Sequence, residues 1–165
     1  MREKDIIRLS ENEGFCAKIL NTADITFDFS FRKYCEQNLC GNYGTNPLCP
    51  PLCGKVEKMR EEVLKHKTVL ILMSEHSISN FSDDENIKKA QRKHNEATLR
   101  LLEKMEKKPR QIALCSPDDI EELPHISAHC LSAYCVNVKD MAEKCGMNYD
   151  FKESKLTLFG FITLD

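Results

Sequence analysis

The chain has 165 residues, 41% hydrophobic and 30% charged, which suits one compact domain with an ordinary buried core and leaves little room for two. Its 24 basic and 26 acidic residues leave a formal net charge of −2, so the balance favours neither nucleic acid nor an anionic membrane as partner. No apolar run approaches the roughly 20 residues that cross a bilayer, and the opening Met1-Arg-Glu-Lys-Asp5 lacks a signal-peptide core, so the expected compartment is the cytoplasm.

In chain order, residues 3–9 suit a short helix and Phe15 to Leu20 an apolar stretch. Ile25 to Phe31 alternates apolar and polar residues at period two, which predicts a half-buried strand. From Arg32 to Gly54 the breakers Gly41, Gly44, Pro47, Pro50, Pro51 and Gly54 exclude a long helix or strand. Val56, Met59, Val63 and Leu64 recur at helical spacing and predict a helix over 55–66. Thr68 to Met73 is a continuous apolar run of the kind found in strands covered on both faces. Asp83 or Asp84 is placed to cap a long charged helix ending near Lys107, before Pro109. Gln111 to Cys115 predicts another strand, and Asp118 or Asp119 a short helical turn. A helix starting at Asn137 or Lys139 and stopping near Gly146 follows, with Leu156 to Leu164 as the last strand. Strands separated by helices imply an α/β domain, with α+β as the alternative: one small, mostly buried sheet flanked by helices over residues 1–165.

The nine cysteines are the unusual feature, and four of them fall between Cys35 and Cys53. Thiols in a reducing compartment signal metal or redox chemistry more often than disulfides, and the odd count also argues against a complete disulfide set. The stretch Cys35-Glu-Gln-Asn-Leu-Cys40-Gly-Asn-Tyr-Gly-Thr-Asn-Pro-Leu-Cys49-Pro-Pro-Leu-Cys53-Gly has the spacing C-x4-C-x8-C-x3-C, a metal loop over about 32–54. Turn-rich backbone lets several sulfurs converge on one point, and the glycines allow the chain to approach a bound centre closely. Turn amides that point at the sulfurs offset their charge. Four thiolates suit a [4Fe–4S] cluster or a structural zinc; the paired C-x2-C knuckles that favour zinc are absent. Tyr43, inside the loop, is expected to shield the centre from water.

Phe31 to Pro51 resembles the DUF2284 family of predicted metal-binding proteins, common in anaerobic bacteria and archaea. The resemblance runs from about residue 25 onward, and its specific part is the cysteine–proline–proline loop. Leu131 to Val138 and Ala142 to Tyr149 resemble the family's closing segment. The resemblance implies that Cys35, Cys40 and Cys49 are metal ligands. Cys53 as fourth ligand is an inference from this chain, and Cys115 is the alternative. Relatives carry a second, ferredoxin-like cysteine group where this chain has only Cys115 and Cys130, so one centre is expected. Cys135 stands where relatives place glycine, which implies a packing role.

The remaining candidates are weaker. Cys145 ends a helix and suits burial. His125 and His129, four apart, would share one face if they lay on a helix, the geometry of helical zinc sites. No phosphate-binding glycine loop, nucleophile elbow or kinase signature is present. The leading functional expectation is therefore an iron–sulfur protein serving electron transfer or redox-assisted chemistry, with a redox partner or small-molecule substrate; a homodimer is compatible with the chain on base rates alone. A zinc-stabilised interaction module is the alternative. A metal-free thiol enzyme using Cys115 or Cys130 near His125 or His129 ranks third.

Overall fold

Residues 1–147 and 151–165 are described by a computed structural model. The helices are α1 (Glu3–Asn12), α2 (Arg32–Glu36), α3 (Val56–Leu64), α4 (Asp84–Lys104) and α5 (Val138–Lys144). The strands are β1 (Cys16–Asn21), β2 (Thr68–Ser77), β3 (Gln111–Leu114), β4 (Ser127–Cys130) and β5 (Lys155–Leu164). The strands form one open mixed sheet in the order β1-β2-β5-β3-β4. β2 pairs antiparallel with β1 and β5, β5 pairs antiparallel with β3, and β3 and β4 run parallel. The α/β expectation holds.

The long apolar strands take the middle of the sheet because both of their faces are covered. Along β2, Val69, Ile71 and Met73 point into one core, while Leu70 and Leu72 point into the other. β5 does the same, with Phe159 and Phe161 on the first face and Ile162 on the second. The second face packs against the apolar stripes of α1 and α4 through Ile6, Ala97, Leu101 and Leu102. The first packs against Met59 and Val63 of α3, Met141 and Ala142 of α5, and the cysteine loop through Cys49.

Helix ends follow their capping chemistry. The Asp83 carboxylate accepts from the Ser79 N–H and the Asn86 side-chain amide, starting α4. α4 stops at Lys104 rather than near 107, because Met105 turns extended and Lys108 reaches back to the carbonyls of Leu102, Glu103 and Met105. Asn137 accepts from the Asp140 N–H to begin α5, and Gly146 beyond its end has φ +71°.

Three expectations change. The strand over 25–31 does not form. Asp28 accepts from the Ser30 N–H and hydroxyl, which diverts the chain into a 3-10 turn at Phe29–Phe31 and leaves one bridge, Phe27 with Val136. Asp118 and Asp119 make only a turn, with Asp119 at φ +59°. The histidine pair is not helical: His125 sits exposed at φ +64°, and His129 lies on β4, a strand too short and too poor in β-branched residues to stand out in the sequence. Asn148 and Tyr149, which end the second stretch of family resemblance, lie outside the described residues.

Candidate metal centre

After α2 carries Cys35, the chain from Gln37 to Gly54 is a series of turns that close on themselves. Asn38 N–H donates to Cys35 O at 2.9 Å, Gly41 N–H to Asn38 O at 3.1 Å, Cys49 N–H to Asn46 O at 2.9 Å and Cys53 N–H to Cys49 O at 3.0 Å. One longer tie, Gly44 N–H to Pro50 O at 2.9 Å, draws the two halves of the loop together. Gly41 and Gly44 have φ of +79° and +76°, a conformation that explains glycine at both places. Tyr43 is half-buried, its N–H held by the Asn38 side chain at 3.0 Å.

Arg32 binds this loop to the rest of the molecule. Its Nε donates to Ala133 O at 3.0 Å, and one terminal nitrogen reaches Gly54 O at 2.9 Å, the Met59 sulfur at 3.1 Å and the Cys53 sulfur at 3.5 Å. The planar guanidinium presents separate nitrogens in a fixed fork, so Ala133 O and Gly54 O are held from two directions at once, which a single ammonium nitrogen does not provide.

The thiols of the loop lie in one another's electrostatic field. Burial pushes the Cys35 thiol up; the Ser132 side chain and Arg32 pull against that, while Cys40 and Cys49 add to it. Burial likewise raises Cys53, opposed by Arg32 and reinforced by Cys49 and Cys35. Cys49 behaves differently. The thiol of Cys130 donates to its sulfur, which lowers Cys49 and raises Cys130, so Cys49 ionises first. Cys40 is exposed at the rim of a polar cavity of about 420 Å³, whose lining also includes Lys88, Arg92, Asn95 and Asp118 from α4 and the segment after β3.

The structure thus brings Cys35, Cys40, Cys49 and Cys53 into one neighbourhood and adds Cys130 from β4. Among the described residues no three Cys, His, Asp or Glu side chains stand ready-arranged as a metal site. The donor chemistry nevertheless fits a thiolate-bound centre: the loop thiols lie in one another's electrostatic field, the loop between them is made of turns, and the Arg32 guanidinium stands 3.5 Å from the Cys53 sulfur, placed to offset negative charge.

Other cysteines lie elsewhere. The Cys115 sulfur turns toward α4, 3.3 Å from Asn95 Oδ1 and 3.6 Å from Gln91 O, and burial pushes its thiol up to about 12. Cys135 is fully buried at φ +58°, a backbone conformation that accounts for the glycine expected there, and burial raises it to about 11. The Cys145 thiol donates to Met141 O at 3.1 Å, and Cys16 is exposed on β1. Burial pushes the Cys115 thiol up, and donation to Cys49 together with burial pushes the Cys130 thiol up, the opposite direction from the lowered pKa that a free-thiol nucleophile calls for. Nothing in the local spacing of Cys130 marks it as a neighbour of Cys49.

An open α/β sheet with a cysteine-rich loop packed on one face defines a thiol-bearing α/β protein. The chain belongs to DUF2284, a family described as predicted metal-binding protein, whose model matches residues 18–164. No curated protein and no solved structure matches it. No helix among the described residues is long and apolar enough to cross a membrane.

Proposed function

We propose that this metal-binding protein carries one iron–sulfur cluster, of the [4Fe–4S] type, held by the thiols of Cys35, Cys40 and Cys49 with one further thiol, and that it serves electron transfer or redox-assisted chemistry. The observation that carries the reading is the crowding of loop thiols around Cys49, with Arg32 beside them. Bound there, such a cluster would supply one-electron chemistry. The chain's own part is to hold the sulfurs, to offset their charge through Arg32, and to limit water through the buried Cys49 and Pro50. Tyr34, Leu39 and Leu52 are exposed on the same segment, an apolar rim suited to a redox partner. The cavity beside Cys40 offers a small polar substrate a place next to the centre.

The test is iron, zinc and acid-labile sulfide analysis, with a visible absorption spectrum, on protein purified without oxygen. About four irons and four sulfides per chain support the reading. About one zinc in colourless protein replaces it with a structural site.

A further inference from the structure

We propose that Ser74 is a nucleophilic serine with His76 as its general base, forming a second site, on the sheet face away from the cysteine loop, that hydrolyses esters of short acyl groups. The site goes beyond the metal-centre reading and stands without it. Ser74 and His76 lie two apart on β2 and share the face that carries Leu70 and Leu72. α4 covers that face and brings His94 beside them. The Ser74 hydroxyl oxygen is 2.8 Å from His76 Nε2 and 2.6 Å from His94 Nδ1.

The protons in this cluster separate the two imidazoles. A hydroxyl has one proton to give, so Ser74 donates to one ring and accepts from the other. His94 Nε2 is buried and has no partner among the described residues. A bare ring nitrogen there costs less than an N–H with no acceptor, which assigns the His94 proton to Nδ1. His94 Nδ1–H then donates to Ser74 Oγ, and the Ser74 O–H donates to His76 Nε2. Burial holds the pKa of His94 down at about 3, so it stays neutral and takes no proton from Ser74. Its N–H favours the negative charge that grows on Oγ as the proton leaves, which makes it a positioning residue. His76 is only half-buried. Burial and the Lys93 ammonium keep it neutral, the form a base needs.

Ser74, His76 and His94 line one open cavity of about 500 Å³, where Phe15 and Ala97 supply apolar surface for a short acyl chain. Its other charged groups are Glu13, Glu75, Lys93, Glu96 and Arg100. Arg100 donates to Glu13 at 2.8 Å and Lys155 to Glu75 at 3.4 Å, which leaves Lys93 as the cation for the ester's carbonyl oxygen. In the reaction Ser74 Oγ bonds to the carbonyl carbon while its proton passes to His76 Nε2. His76 returns that proton to the departing alkoxide as the ester C–O bond breaks, leaving acyl-Ser74 and an alcohol. Water then gives a proton to His76, adds to the acyl carbon and releases the acid, and His76 restores the Ser74 hydroxyl.

The experiment treats metal-free wild type at neutral pH with a fluorophosphonate, maps the adduct by peptide mass spectrometry, and follows p-nitrophenyl acetate hydrolysis in parallel. Ser74 is expected to be labelled before any other serine, and Ser74→Ala to lose the hydrolysis that exceeds the rate in buffer. His76→Gln should slow labelling by about 100-fold and abolish its rise with pH. His94→Asn should slow labelling while the midpoint of that rise stays where it is. Labelling of wild type requires no variant to fold. Folded wild type without an adduct on Ser74, Ser74→Ala hydrolysing at the wild-type rate, or His76→Gln labelled as fast as wild type overturns the proposal.

Discussion

The two faces of the sheet are built on different principles. The face under α1 and α4 is an aliphatic core in which Leu70, Leu72, Leu101, Leu102, Ile112 and Ile162 fill the space. Several of its buried polar groups are satisfied from within: Ser10 donates to Ile6 O, Thr98 to His94 O and the Asn95 amide to Ser116 O, whereas His94 Nε2 has no partner among the described residues. The face under α3 and α5 is closed in part by a loop whose hydrogen bonds are mostly short-range turns, and by thiols and a guanidinium where the other has leucines. The first is filled by aliphatic side chains of the chain itself. The second is shaped as though a ligand were to finish it, which is why removing metal should loosen one face and spare the other.

The largest expected effect strikes the aliphatic side. A β-carbon at Gly160 would come 2.5 Å from Ala113 O across the β5–β3 ladder and 3.3 Å from His94 Nε2. Gly160→Ala should cost about 3 kcal/mol by overpacking, seen as a lower urea midpoint in metal-free protein. An unchanged midpoint would mean that the ladder yields there and that this face is softer than described.

Next comes pH. His94 is buried against Phe15, its Nδ1 at 2.6 Å from the Ser74 hydroxyl and its Nε2 without a partner among the described residues, and burial holds its pKa down at about 3. Because the folded pKa lies below the unfolded value near 6.5, the unfolded chain binds the extra proton as pH falls through that value. Stability should then decline by about 1.4 kcal/mol per pH unit below pH 6.5, until the folded pKa is approached. Urea titrations between pH 7 and 4.5 measure the slope, and His94→Asn should flatten it; an equal slope in that variant would place the titration elsewhere, with His76 or His129 the next candidates, since burial lowers both.

Arg32→Lys probes the other face. It removes the fork that serves Ala133 O, Gly54 O and Cys53 and should cost about 1–2 kcal/mol while speeding metal release to a chelator. Loss of stability with no change in release would confine Arg32 to a structural role. The smallest effect is expected at Arg92–Asp119, 3.6 Å apart and exposed, where Arg92→Ala should shift stability by less than about 0.5 kcal/mol in a thermal melt.

How far the sequence reached depended on whether the decisive interactions were local. The long apolar runs of β2 and β5, the Asp83 and Asn137 caps and the breaker-rich loop all act within a few residues, and each was legible. The 25–31 segment misled because its alternation is genuine, yet Asp28 bonds its own backbone and leaves no ladder to join. Strand β4 was missed because Ser127-Ala-His-Cys130 carries almost no intrinsic strand preference; its place comes from pairing with β3.

The sequence by itself determined that this is an α/β protein with a thiol-rich, turn-built loop, since composition, periodicity and spacing are local quantities. It also carried the family membership, through Cys35, Cys40 and Cys49 and the prolines that follow. Only the tertiary structure decided which thiols meet. The strand order β1-β2-β5-β3-β4 sets the end of β4 against the loop and so brings Cys130 to Cys49, a meeting fixed by packing and backbone pairing between segments remote in the chain.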